Sequence, residues 1–126
     1  QRKRKEWLER SESKEFAPFV SNAVLAASRQ QRALGRPDLA YDLISYAILI
    51  NKKFCGCAEA QKFEREVGEV MFAKGDKKAA LIIMKEALTN LEDDFMYLDA
   101  RHVRERIAEM FPGETLPKLE KREFFT

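Results

Sequence analysis

Little in this sequence is of the kind that does chemistry. One histidine, His102, and two cysteines, Cys55 and Cys57, occur in 126 residues. A structural zinc site takes four such ligands, usually opening with two cysteines spaced two residues apart, so no metal site and no cofactor is expected. Cys55 and Cys57 are separated only by Gly56, too close for an unstrained bridge, and a secreted domain usually carries a larger even set. Reduced thiols in a cytoplasmic or nuclear protein are the expectation. Glycines number five and prolines four. Gly35 and Gly75 belong to no phosphate-cradling string. No apolar run approaches the roughly 18 residues that span a bilayer. The longest, around Ile48-Leu49-Ile50, is broken by Ser45 and ends at Asn51. A large excess of one charge is missing as well: 23 basic and 21 acidic side chains leave +2, which predicts no strong long-range pull toward nucleic acid or membrane. Arg2, Lys3, Arg4 and Lys5 make a basic start without the apolar core of a signal peptide behind it. The chain begins at Gln1 rather than Met, and a piece of a longer protein is expected.

What is present is helical. Hydrophobic residues make up 45% and charged residues 35%, the balance of a globular helical domain. A chain of this length buries roughly two-thirds of its unfolded surface. Apolar residues recur at helical spacing, and no window alternates as a half-buried strand would. The expected organisation is one domain: a basic amino-terminal helix over 1–15 around Trp7 and Leu8, a first hairpin over 17–53, a second over 57–92, a terminal helix over 94–111 and a tail over 112–126. Pro18 suits a first helical turn and Gly35 a helix end. Pro37-Asp38 opens the next helix. Asp76 is placed to cap the one after Gly75. The expected inner faces are Phe19, Val20, Ala23, Val24 and Ala27; then Leu39, Ala40, Leu43, Ile44, Ala47 and Ile48; then Phe63, Val67, Val70 and Met71, with Glu64, Arg65, Glu66 and Glu69 in solvent. Ala79, Ala80, Ile83, Met84, Ala87, Leu88 and Leu91 follow, and Phe95, Leu98, Val103, Ile107 and Met110 close the series. The four methionines read as core filling.

An internal repeat is visible. Ala33, Gly35, Ala40, Leu43, Ala47 and Ile48 recur as Ala73, Gly75, Ala80, Ile83, Ala87 and Leu88, each pair 40 residues apart. Glycine ends one helix, a tight turn follows, and small alanines let the second helix approach closely. Tetratricopeptide-like hairpins pack in this way, with a regular period of about 34. The fold class expected is all-α, antiparallel helical hairpins stacked as a short α-solenoid. An irregular helical bundle is the alternative.

No enzyme is expected, because no acid, base and nucleophile are matched. His102 lies among Arg101, Arg104 and Arg106, with Asp99 and Glu105 three positions to either side, so ion pairing accounts for the cluster. For a solenoid piece that binds a protein or peptide partner in a groove between helices, Arg29, Gln30, Arg65 and Glu69 are the candidate contacts. The other class is a nucleic-acid accessory domain that uses Arg2, Lys3, Arg4, Lys5, Arg101 and Arg104. Interleaved Glu6, Glu9, Glu105 and Glu109 weigh against it.

The stretch from Gln61 to Leu88 resembles helical repeats in the FAT region of phosphatidylinositol-3-kinase-related protein kinases, ataxia-telangiectasia type. Glu66 or Glu69 precedes the aliphatic-aromatic pair Met71-Phe72, a lysine-rich turn runs Lys74-Gly75-Asp76-Lys77-Lys78, and Ala80-Leu81-Ile82-Ile83-Met84-Lys85 follows. Leu25 to Ala47 looks similar, and the two together cover about half the chain. Phenylalanine stands at position 72 where the family pattern has tryptophan, and the tail after Asp93 does not match. The resemblance implies a structural segment of the solenoid that cradles a kinase domain, with no catalytic residue and with the rest of a larger solenoid as its partner.

Overall fold

A computed structural model describes residues 16–55 and 60–116. The expected helix around Trp7, the Gly56-Cys57 segment and the end of the tail lie outside these residues. The described chain is all-helical: α1 (Ala17–Ala33), α2 (Pro37–Ile50), a π-turn (Asn51–Cys55), α3 (Ala60–Ala73), α4 (Lys77–Asp93) and α5 (Tyr97–Met110). No strand occurs among the described residues, and no helix there is long and apolar enough to cross a membrane. Each helix packs against the next, most extensively α1 on α2 and α3 on α4, and α1 also reaches α3.

Local chemistry sets the helix ends. Pro18 and Pro37 stand in the first turns of α1 and α2, where a missing N–H costs nothing. Asp38 adds a negative charge at the positive end of the α2 dipole. Asp76 caps α4, its Oδ1 accepting the Ala79 N–H at 3.1 Å. Three turns share one hydrogen-bond pattern. Arg36 N–H donates to the Gln31 carbonyl (2.9 Å), Asp76 N–H to Met71 (3.0 Å) and Met96 N–H to Leu91 (2.8 Å). Each is the six-to-one bond of a Schellman ending, which places the residue before the donor in the left-handed region. Those residues are Gly35 (φ 76°), Gly75 (φ 93°) and Phe95 (φ 61°). Five residues on from each lies a buried alanine: Ala40, Ala80 and Ala100.

Two apolar clusters form the interior. Val24, Leu25, Ala40, Ile44, Ala47, Phe63 and Val70 join α1, α2 and α3. Met84, Leu88, Leu91, Ala100, Val103, Ile107 and Met110 join α4 and α5, with Phe72 of α3 packed on them. Full burial of a side chain such as Ile44, Phe63 or Ile107 stabilises by about 1.5–3 kcal/mol relative to exposure. At the α3–α4 crossing, Gly68 sits so close to Met84 that an added Cβ would lie 2.6 Å from its Sδ.

Several expected inner positions lie outside. Phe19 is 74% exposed and Leu98 67%. Leu39, Phe95 and Met96 are exposed as well, and so is Ala23. On α1 the buried stripe is Ala17, Ser21, Val24, Leu25 and Ser28, so two serines take positions next to the core. Their hydroxyls find partners within the helices: Ser21 Oγ donates to the Pro18 carbonyl (3.1 Å) and Ser28 Oγ to the Ala40 carbonyl (2.8 Å). Small side chains there allow α1 and α2 to approach, and the larger Phe19 is turned to solvent. The terminal helix runs from Tyr97 rather than from 94, because the turn through Phe95 occupies the intervening residues.

Candidate partner-binding groove

Helices α1, α3 and α5 are linked along one face by charge. Arg32 of α1 grips Glu66 of α3 with Nε at 2.6 Å from Oε2 and Nη2 at 3.2 Å from Oε1. Arg29 Nε stands 3.5 Å from the same carboxylate. Arg106 of α5 holds Glu69 of α3 in the same forked way, with Nε to Oε2 at 2.7 Å and Nη2 to Oε1 at 2.9 Å. Its Nη1 also reaches Glu109 of α5 at 3.1 Å. The hydrogen bonds to Glu69 hold the Arg106 guanidinium well above its ordinary range, partial burial pulling the other way. Glu66 and Glu69, expected in solvent, are 3% and 7% exposed. Burial of two carboxylates is sustained because each meets a planar guanidinium whose donors match its oxygens.

The helical period explains their placement. Phe63, Glu66 and Val70 fall at i, i+3 and i+7 on α3, the face that carries Phe63 and Val70 into the core. Glu69 lies beside it. Their partners are 34 and 37 residues away, beyond any pattern of local charge spacing.

Beside this charge ladder lies a cavity of about 240 Å³ lined by Arg29, Gln61, Lys62, Arg65, Leu91, Met96, Asp99 and Val103. Leu91, Met96 and Val103 supply its apolar lining, from the end of α4, the turn through Phe95 and α5. Gln61 Nε2 donates to Asp94 Oδ2 at 2.6 Å and Asn90 Nδ2 to Glu64 Oε2 at 3.3 Å; these bonds pin the start of α3 to the end of α4 and so hold one wall in place. Lys62 Nζ lies 5.5 Å from the centroid of the Phe63 ring.

Of the sequence-derived contact residues, Arg29 and Arg65 both line this cavity. Gln30 is exposed on α1 outside it, and Glu69 is turned into Arg106. Lys62, Leu91, Met96 and Val103 are lining residues that the sequence reading did not single out as contacts. A signal for Lys62 was available in its place one turn before Arg65 and Glu66 on the same helix. Of the cations named for nucleic acid, Arg104 Nη2 binds Glu92 Oε2 at 3.0 Å and Arg101 Nε binds Glu105 Oε1 at 3.3 Å. Arg2, Lys3, Arg4 and Lys5 lie outside the described residues. No group of three or more potential metal-ligating side chains occurs among the described residues.

A second cavity, about 250 Å³, lies on the other side of α3, lined by Ile48, Asn51, Lys52, Phe63, Glu64, Val67, Ile83 and Glu86. It adjoins the π-turn that leads into the undescribed segment 56–59. Comparison with known proteins gives no match to any family model, curated protein or solved structure.

Proposed function

We propose that this chain is a non-enzymatic, intracellular protein-interaction module, a short α-solenoid of tetratricopeptide-like hairpins that holds a segment of a partner protein in the groove between α1, α3 and α5. The observation that carries the reading is the groove itself: an apolar lining of Leu91, Met96 and Val103 with Arg29 and Arg65 beside it. Such a composition recognises a peptide, apolar surface giving affinity and charged groups giving orientation. The shared hydrogen bonding of the turns at Gly35 and Gly75 supports the solenoid part of the proposal. So does the recurrence of buried alanine after each. On the family resemblance, the module is a segment of a larger scaffold of the FAT-region kind.

Selection from a random peptide library on the folded chain tests the function. Met96 is 41% exposed, so Met96→Asp alters the groove with little effect on folding. Peptides that bind the chain and lose binding to Met96→Asp, at an unchanged melting temperature, support the groove. Peptides indifferent to that change, or no enrichment at all, overturn it.

A further inference from the structure

We propose that Met96 is an oxidation site that switches the groove: a hydroperoxide converts its thioether to the sulfoxide, the groove loses affinity for its peptide, and reduction restores it. This rests on the groove reading above and adds the regulation of that site. Met96 lines the cavity together with Leu91 and Val103, and it is 41% exposed. The other three methionines are less open. Met84 is fully buried, Met110 is 7% exposed, and Met71 is half-buried on α3. The most open of the four is thus the one in the wall of the groove.

The chemistry needs only a peroxide. The thioether sulfur attacks one peroxide oxygen, an S–O bond forms and the O–O bond breaks. Sulfur gives up two electrons, and the proton of the attacked hydroxyl passes to the departing oxygen, which leaves as water. The product is a polar, hydrogen-bond-accepting side chain where an apolar one stood. Leu91 and Val103 beside it carry no side-chain donor, so an apolar anchor seated against all three would shut the new oxygen off from water at a cost. The fold is spared, because main-chain bonds hold this turn: the Met96 N–H donates to the Leu91 carbonyl at 2.8 Å. Met84 and Met110 differ, since both belong to the core cluster of α4 and α5, where a sulfoxide would disturb packing. A side chain open to solvent is also open to a sulfoxide reductase, which makes the change reversible.

The experiment treats the folded chain with hydrogen peroxide, removes the oxidant with catalase and maps the methionines by mass spectrometry. Peptides recovered in the library selection are then titrated against treated and untreated protein by fluorescence anisotropy. Met96 should be oxidised ahead of Met71, Met84 and Met110. Affinity should then fall about tenfold, equivalent to roughly 1.4 kcal/mol, at an unchanged melting temperature, and methionine sulfoxide reductases should restore it. Met96→Leu, from whatever affinity it starts, should bind equally before and after peroxide, which separates Met96 from Cys55 and Cys57. Earlier oxidation of another methionine, unchanged affinity once Met96 is oxidised, or a loss that persists in Met96→Leu would each overturn the switch and leave the groove standing. Peptides that ignore Met96→Asp, or no peptides at all, would overturn the groove reading and the switch with it.

Discussion

Arg106 of α5 holds Glu69 of α3 through two parallel hydrogen bonds, 2.7 and 2.9 Å long, with the carboxylate almost wholly out of water. The partnership spans 37 residues of chain and is the polar tie between the second and third helices of one face. Removing Arg106 leaves the buried Glu69 carboxylate with only the more distant Arg32 Nη1, at 3.8 Å, which is costlier than never having had the pair. Arg106→Met should destabilise by about 2–3 kcal/mol, moderated because the guanidinium is partly open to solvent. The double variant Arg106→Met/Glu69→Leu should recover a large part of that loss. Denaturant titration of the two singles and the double measures the coupling. A double that is simply the sum of the singles would mean the forked geometry contributes no interaction energy.

Phe95 sits at φ 61° where the matching turns have Gly35 and Gly75. Its ring meets Tyr97 edge-on, centroids 6.2 Å apart, which offsets part of the backbone strain. Phe95→Gly should therefore stabilise slightly, by about 0.5 kcal/mol, strain relief exceeding the lost ring contact. Gly75→Ala should cost about 1 kcal/mol. Open space surrounds the position a Cβ would take there, so the cost is one of backbone conformation alone. Thermal melts of the two variants should move in opposite directions. If both fall, the ring contact outweighs the strain, and the turn is held by the side chain.

Ser28 donates a buried hydrogen bond from α1 to the Ala40 carbonyl on α2. That carbonyl lies within the regular helix α2 and accepts a backbone hydrogen bond there, so Ser28→Ala should cost only about 0.5–1.5 kcal/mol. Ser28→Val should cost more, about 1–3 kcal/mol, because Ser28 is fully buried and a larger side chain at a close helix crossing overpacks it. Equilibrium unfolding ranks the pair. Equal losses would show that the hydroxyl, not the available space, selects serine.

The helix boundaries were legible because their causes are local. Pro18, Pro37, Gly35, Gly75 and Asp76 each act on the turn they occupy, and each stands at the end its chemistry dictates. The face each helix buries was less legible. On α1 the stripe had Phe19, Ala23 and Ala27 in place of Ser21 and Ser28, because hydrophobicity alone ranks phenylalanine inside and serine outside. Close helix approach reverses that order where a hydroxyl can bond to a carbonyl. Glu66 and Glu69 read as solvent-facing acids until Arg32 and Arg106 arrive from distant helices. Arg29 and Arg65 could be named as groove residues because they lie on α1 and α3. Leu91, Met96 and Val103 join them only through the way α4 and α5 pack, which no local pattern carries. The third turn was hidden for another reason: phenylalanine is a poor signal for a positive φ.

Gly68 is the one glycine of the described residues that lies inside a helix and against a neighbour. An added methyl there would stand 2.6 Å from Met84 Sδ and 2.7 Å from Cγ, and Met84 is fully buried. Two effects oppose each other in Gly68→Ala. Alanine favours the α3 helix by about 1 kcal/mol. Overpacking against a fully buried methionine costs about 1–3 kcal/mol. Cγ is close to the backbone, so the conflict is not relieved by moving only the end of the side chain, and the substitution should destabilise by about 1 kcal/mol. In a Met84→Ala background the obstruction is gone, although that background is itself weakened by the cavity it creates. Gly68→Ala should there become stabilising, through helix propensity and partial filling of the space. Chemical denaturation of the four proteins in this cycle gives the sign in each background. A loss of similar size in both would place the requirement for glycine in the backbone of α3 rather than in its contact with α4.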